Sequence, residues 1–305
     1  MNTGTHNAIE DPRNEQVKIM INDVLYDRNE AKISVFDSGY LVGDGVWEGI
    51  RLHHGKYSFI NQHFDRLWQA AKVVGIAIPF SRDQLLEKVQ KVVAVNQMED
   101  QVHIRIMLTR GIKKTPSQDP RLTVSGPNLV IIAEHKKAST ITKEQGIRLF
   151  TSTFRRGAPD YLDPRLNCHS KLHEVQALMQ ALEAGADEAL MLDPHGFVAT
   201  CNSTNFFMIK NEEVWTSTGQ YCMNGITRSN IIRICEENGI PILEKNFSLY
   251  DTYGADEAFV TGTFGGVTPV ISIDGKEISE GSKGDLTDRL QSLYEDLLEK
   301  SVAGK

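Results

Sequence analysis

The chain has 305 residues, 40% of them hydrophobic and 24% charged, with a formal net charge of 33 − 40 = −7. That balance suits a globular protein long enough for two domains of about 100–200 residues each. An acidic chain without a basic stripe argues against general nucleic-acid binding, and no apolar run is long enough to span a bilayer.

Met1 to Val17 is polar and lacks the apolar core of a signal peptide, so residues 1–16 are expected to form a flexible tail. A strand is expected from Val17 to Ile21, followed by the turn-like Asn22-Asp23, and another from Lys32 to Phe36. Gly39, Gly43, Gly45 and Gly49 then point to tight backbone geometry rather than a long helix. Tyr57 to Ile60 reads as a strand. Asn61 is placed to cap a helix with Phe64, Leu67, Trp68 and Ala71 on one face, which Gly75 stops. Ser81-Arg82-Asp83-Gln84 is a capping box opening a helix with Leu85, Leu86, Val89, Val92 and Val93 expected inward. Val102 to Thr109 and Asn128 to Ala133 are β-rich. The polar stretch 136–146 is expected to link a domain at 17–135 to a second at 147–305.

The second domain is expected to begin with a strand from Ile147 to Phe154. A helix over Leu172 to Ala184 follows, then strands at Glu188 to Leu192, Phe197 to Thr200 and Asn205 to Ile209. Thr227 to Glu237 reads as a helix ended by Gly239. Strands at Glu257 to Thr261 and Val270 to Ile273 come next. Leu286, Leu290, Leu293, Leu297 and Leu298 mark an amphipathic C-terminal helix. The Asp-Pro pairs at Asp11, Asp119, Asp163 and Asp193 are irregularly spaced turn signals. Cys168, Cys201, Cys222 and Cys235 form no C-x-x-C pair, and no Cys/His cluster has zinc-ligand spacing. No metal is expected, and the thiols are read as reduced and the chain as cytoplasmic.

Several short segments carry candidate chemistry. Gly225-Ile226-Thr227-Arg228 opens a helix on a glycine, leaving backbone N–H groups and a partial positive charge for an anion such as phosphate. Gly262-Thr263-Phe264-Gly265-Gly266 is a small-residue turn with a hydroxyl at its tip. Arg51 follows the glycine cluster and offers a planar fork of donors. Lys171, in Leu166-Asn167-Cys168-His169-Ser170-Lys171-Leu172, precedes the strand–turn–strand of Glu188 to Ile209. A lysine amine can hold an aldehyde cofactor covalently and shuttle protons. Each segment alone also reads as a surface charge, a salt bridge or a tight turn.

Taken in order, these segments resemble the branched-chain and D-amino-acid aminotransferases, the fold type IV pyridoxal-phosphate enzymes, from about Met20 to Pro269. The resemblance implies an α+β, two-domain architecture with a smaller N-terminal α/β domain and a larger C-terminal domain carrying a barrel-like sheet. It implies pyridoxal 5'-phosphate bound through Arg51, Gly225, Ile226, Thr227 and Thr263, with Lys171 as the catalytic residue. The N–H groups at Phe264-Gly265 would take a substrate carboxylate, and Tyr40, His103 and Arg105 would line the substrate pocket. His103 reads equally as an ordinary strand histidine. The loop Gly111 to Pro120 lacks the carboxylate-trapping arginine of D-amino-acid members, which lowers that case. The implied reaction moves an amino group between a branched-chain or similar amino acid and a 2-oxo acid, and the family's habit implies a homodimer.

Two positions depart from the pattern. Thr200 stands where relatives carry a glutamate that pairs with the cofactor's pyridine nitrogen. Counting back from Asp187 without a gap puts Asn167 at the usual lysine position, with Lys171 where many relatives have a tyrosine. Lys171 is nonetheless the expected catalytic residue, because Lys143 and Lys210 are far off in sequence. A pyridoxal-phosphate lyase or racemase, or a catalytically impaired relative, stays open beside the aminotransferase.

Overall fold

The computed structural model describes residues 4–6 and 8–303. The chain divides into two compact units. The N-terminal unit is Glu10–Lys137 with Asn167–Lys171, and the C-terminal unit is Met1–Ile9, Ala138–Leu166 and Leu172–Lys305. Each unit thus contains a piece of chain from the other's stretch of sequence.

The N-terminal unit is built from β1 (Lys18–Ile21), β2 (Val24–Asp27), α1 (Ser38–Val42), β3 (Gly45–His53), β4 (Lys56–Tyr57), α2 (Ile60–Val73), α3 (Arg82–Val95), β5 (Val102–Thr109) and β6 (Asn128–His135). Its strands form one sheet in the order β2-β1-β6-β5-β3-β4. Alternation along the three long central strands separates two faces. Val46, Ile50 and Leu52 on β3, Ile104 and Ile106 on β5, and Ile131 and Ala133 on β6 are buried, as are Phe64 and Leu67 on α2 and Leu85, Val89 and Val92 on α3. The helices lie on β3 and β6. The capping box at Ser81 forms in both directions, with Gln84 N–H donating to Ser81 Oγ at 3.2 Å and Ser81 N–H to Gln84 Oε1 at 2.8 Å.

Two expected strands differ. Residues 32–36 are irregular and end in a turn at Phe36, and of the second, Tyr57 to Ile60, only Tyr57 is extended, in the two-residue strand Lys56–Tyr57, before α2 begins at Ile60. The N-cap of α2 is Phe59, in the left-handed region at φ 53°, without a side-chain cap. Asn61 therefore lies inside the helix. Each of the four Asp-Pro pairs forms a local turn. Arg13, Arg121, Arg165 and His195 donate their N–H to Asp11, Asp119, Asp163 and Asp193, two residues back, at 2.9–3.0 Å.

Glu48 is fully buried and bonded to His63 Nδ1 at 2.7 Å and to Arg66 at 2.7 and 2.8 Å. Burial pushes this carboxyl up, but the Arg66 guanidinium and the His63 bond outweigh it and hold the acid below the usual carboxylate range. A carboxyl lowered on folding stabilises fully above its unfolded pKa, and that stabilisation fades as pH falls through the folded value. A Glu48→Gln chain should therefore show a flatter acid limb than the parent when urea midpoints are followed from about pH 6 to 3. Equal slopes would show that other carboxyls control acid unfolding.

The C-terminal unit comprises α4 (Thr140–Gln145), β7 (Ile147–Thr151), α5 (Leu172–Glu183), β8 (Glu188–Leu192), β9 (Val198–Cys201), β10 (Asn205–Lys210), β11 (Glu213–Thr216), α6 (Ile226–Glu237), β12 (Ile242–Glu244), α7 (Leu249–Tyr253), β13 (Glu257–Gly262), β14 (Gly266–Ile273), β15 (Lys276–Glu277) and α8 (Asp285–Ala303). The sheet order is β12-β11-β10-β13-β14-β7-β8-β9, with β15 beside β14. Strand β9, at one end of that order, turns directly into β10 near the other end, so the sheet curls on itself. Strands β8, β9 and β10 are buried along nearly their whole length, and Phe207 stacks on its cross-strand partner Phe259 with ring centroids 4.8 Å apart. Among the described residues no helix is long and apolar enough to cross a membrane.

Candidate active site

In the C-terminal unit Asn205 lies beside Gly225, the first of the expected phosphate-binding residues there. Gly225 is the N-cap of α6 and makes no side-chain cap bond, so the helix's first N–H groups are not closed off by their own cap. A Cβ on Gly225 would collide with Asn205 Oδ1, while Asn205 Nδ2 donates to Met223 O at 2.9 Å. Asn205 is the register partner of Thr261 on β13, one strand residue before the Gly262–Gly266 turn. Ile226 and Thr227 are buried, and Thr227 Oγ1 lies 3.3 Å from Tyr294 Oη. Thr261 Oγ1 is buried without a hydrogen-bond partner, beside a half-buried Thr263. A helix N-terminus, a hydroxyl turn and an unsatisfied buried hydroxyl form a donor set that fits a phosphate group.

A Gly225→Ala chain should fold but lose at least about tenfold in affinity for a phosphorylated pyridine ligand, because the Cβ displaces Asn205 and re-aims the α6 N-terminus. Fluorescence titration with pyridoxal phosphate measures this, and unchanged affinity would remove α6 from the grip.

Thr200 sits on β9, buried, with its hydroxyl donating to Thr204 O at 2.7 Å. Thr204 in turn donates to Glu188 Oε2 at 2.8 Å and lies 3.4 Å from where a Gly262 side chain would begin. Sequence reading missed Glu188. It is 2% exposed, and burial pushes its carboxyl up, opposed by hydroxyls of Thr5 and Thr204. An Asp-Glu pair at the start of a strand is a common surface pattern, so no local signal marked the burial. The same proximity, after burial itself, raises the neighbouring Cys201 thiol well above its usual range.

In the N-terminal unit Arg51, His103 and Arg105 share the second face of the sheet. Arg51 on β3 is the register partner of His103 on β5, and Gly49 is that of Arg105. Arg51 donates to Lys136 O at 3.1 Å. The absence of a side chain at Gly49 admits the His103 ring, whose Cε1 lies 3.0 Å from where a Cβ would stand. The Arg105 guanidinium lies 3.9 Å from the centroid of the Trp47 ring. Burial pushes Arg105 and Lys136 down. The result is a basic face of Arg51, His103, Arg105 and Lys136 with Glu134 among them. Tyr40 stands apart from this group, on α1 and 71% exposed.

Lys171 closes the segment that joins this unit from a distance in sequence. Asn167 is 1% exposed, and its Nδ2 donates to Trp47 O at 2.7 Å while its backbone carbonyl accepts from Trp47 N–H at 3.0 Å. Cys168 forms a bridge to Val46, and His169 N–H donates to Gly45 O at 2.9 Å. The segment thus extends the sheet at the N-terminal half of β3. Asn167 is tied into the backbone, and Lys171, half-buried, comes immediately before α5. His53 and His54 meet Asp100, with His53 Nδ1 3.2 Å from Asp100 Oδ1.

The profile described as Amino-transferase class IV matches residues 45–273. The chain belongs to the class IV aminotransferase family. It is 37% identical over 290 residues to the branched-chain-amino-acid aminotransferase-like protein 2 of Arabidopsis thaliana, covering 95% of this chain and 52% of that protein. The chain therefore spans about half the length of that relative. It is also 37% identical over 285 residues to a putative branched-chain-amino-acid aminotransferase of Methanocaldococcus jannaschii, covering 93% of this chain and 97% of the relative. A T.th. branched-chain amino acid aminotransferase, complexed with N-(5'-phosphopyridoxyl)-L-glutamate, superposes with a TM-score of 0.86 at 28% identity, over 94% of this chain and 95% of that one. The Escherichia coli enzyme of that name gives 0.84 at 26%, over 93% and 94%. The two α+β units and the curled C-terminal sheet have the fold type IV architecture of the class IV aminotransferase family.

Proposed function

We propose that the chain is a pyridoxal-phosphate-dependent aminotransferase that moves an amino group between a branched-chain or similar amino acid and a 2-oxo acid. The observation that carries this is the uncapped N-terminus of α6 at Gly225, set beside the Thr261–Gly265 turn by Asn205 in a family of aminotransferases. When bound, the cofactor supplies the electron sink that lets the substrate α-carbon lose its proton. In this reading the N–H groups of Ile226 and Thr227, the Thr263 hydroxyl and Arg51 hold the phosphate. Lys171 would hold the cofactor through its aldehyde and carry the proton on its Nζ, and the N–H groups of Phe264-Gly265 would take the substrate carboxylate. His103 and Arg105 line the substrate side.

Thr200 takes a defined part here. Its proton is committed to Thr204 O, so toward a ring nitrogen the hydroxyl offers lone pairs. It can therefore accept from a protonated pyridine nitrogen, as a carboxylate would, but without a carboxylate's charge. The exposed Tyr40 and the family's habit support a homodimer, in which a second copy would cover α1. The four buried, unpaired cysteines support a reducing, cytoplasmic setting.

The test is the visible spectrum of the purified protein, followed by borohydride reduction and peptide mass mapping. A cofactor band with a pyridoxyl adduct on Lys171 is expected, together with keto-acid formation that requires an amino acceptor. A protein that takes up no pyridoxal phosphate overturns the reading. An adduct on another lysine moves the catalytic role away from Lys171.

A further inference from the structure

Residues 4–6 lie against the C-terminal unit. Thr5 is 5% exposed, and its hydroxyl donates to the Glu188 carboxylate. Its carbonyl oxygen and Cβ lie 3.4 and 3.5 Å from the point where a Gly265 side chain would begin. The His6 ring centroid is 6.5 Å from that of Phe264, and His6 Nδ1 lies 3.2 Å from Thr5 Oγ1 and 3.4 Å from Ser203 Oγ. Beyond them Ala8 forms an antiparallel bridge to Ala138. One short segment therefore touches both the Phe264-Gly265 turn and the Asn202–Thr204 turn.

We infer that Thr5 is a positioning residue for the Phe264-Gly265 turn and that Thr5 and His6 together form a wall of the substrate-carboxylate subsite. This rests on the part proposed above for that turn. The turn joins β13 to β14 through three residues, with Gly262 and Gly266 at its base, and Gly266 takes a positive φ of 66°. Such a backbone is intrinsically soft. Its N–H groups can hold a carboxylate in one place only if something fixes the turn from outside. Thr5 does so by contact, and it is itself held because Glu188 sits in a dry interior where its oxygens need donors. Losing the Thr5 hydroxyl leaves Glu188 short of a donor, so the segment is built in rather than resting on the surface.

The test uses the full chain with Thr5→Val, Thr5→Ser and His6→Ala, reading amide exchange by mass spectrometry without substrate and KM for the amino acid with cofactor present. Thr5→Val keeps the branch and removes the donor. It should speed exchange over residues 262–267 and raise KM by about threefold to tenfold, the scale of one lost hydrogen bond. Thr5→Ser, which restores the hydroxyl, should stay near the parent in both. His6→Ala should raise KM at least about twofold, and its exposed side chain keeps it informative should Thr5→Val fail to fold. Parental exchange and KM in both Thr5→Val and His6→Ala overturn the inference. A lowered KM also overturns it, since the segment would then block the subsite. If the parent chain does not transaminate, the functional reading fails by itself and exchange alone decides: faster exchange in Thr5→Val supports the positioning role, and parental exchange ends it.

Discussion

A Lys171→Ala chain should lose about 10²–10⁴-fold or more in turnover, the range expected when a positioned proton carrier is removed. It should also lose the borohydride-stable adduct while still binding pyridoxal phosphate through the α6 N-terminus. The informative companion is Asn167→Ala. Asn167 is the residue that a gap-free count puts at the usual lysine position, yet in the fold it is 1% exposed and bonded through its side chain and its backbone carbonyl to Trp47. Its loss should therefore lower stability by about 1–3 kcal/mol, the cost of stranding a buried backbone acceptor, and leave the adduct in place. Lys171→Ala with parental turnover, or Asn167→Ala without the adduct, would reverse the assignment of the two positions. Steady-state rates, urea melts and peptide mapping on the same preparations distinguish these cases.

Removing Arg156 should strongly destabilise the C-terminal unit. Arg156 is 5% exposed and bonds Glu174 at 2.7 Å, Tyr221 O at 3.3 Å and Pro164 O at 3.3 Å. Pro164 and Glu174 lie on the two sides of the Asn167–Lys171 segment in sequence, so one guanidinium ties down both flanks. An Arg156→Ala chain removes the guanidinium from the buried Glu174 and leaves the His173 imidazole, 2.8 Å from its other oxygen, as a partner, so the loss should be about 3 kcal/mol. Arg156→Lys should recover only part of this, because a single ammonium cannot reach three acceptors in a fork. Equilibrium urea unfolding would show it, and a loss below about 1 kcal/mol in Arg156→Ala would show that the buried pair is already compensated by water.

Much of the local structure was legible because it depends on neighbours in sequence. The Ser81 capping box needs residues three apart, and the four Asp-Pro turns need residues two apart, so composition alone located them. The Gly225 helix start was visible for the same reason. Lys32 to Phe36 failed because a run with strand-forming residues needs a partner strand, and none pairs with it among the described residues. Asn61 failed as a cap because Phe59 enters α2 from a left-handed backbone, a conformation that residue type does not advertise.

The candidate site divides in the same way. The residue types came from sequence: a glycine-led helix, a hydroxyl turn, an arginine after glycines and a lysine before a helix, in the order of the class IV aminotransferases. Tertiary structure decided which of them are neighbours. Trp47 and Cys168 meet 121 positions apart, and Thr5 reaches Glu188 across 183. Buried hydrogen bonds of that range depend on strand pairing and on the dry interior it creates, which makes an unpaired Asn167 backbone carbonyl or Glu188 oxygen costly enough to recruit a distant segment. Periodicity and spacing carry no trace of that cost. By itself, the sequence determined the family, most of the elements and the chemistry on offer. The fold alone decided that Asn167 is tied to the β3 backbone while Lys171 starts a helix, and that Thr5 and His6 lie against the Phe264-Gly265 turn.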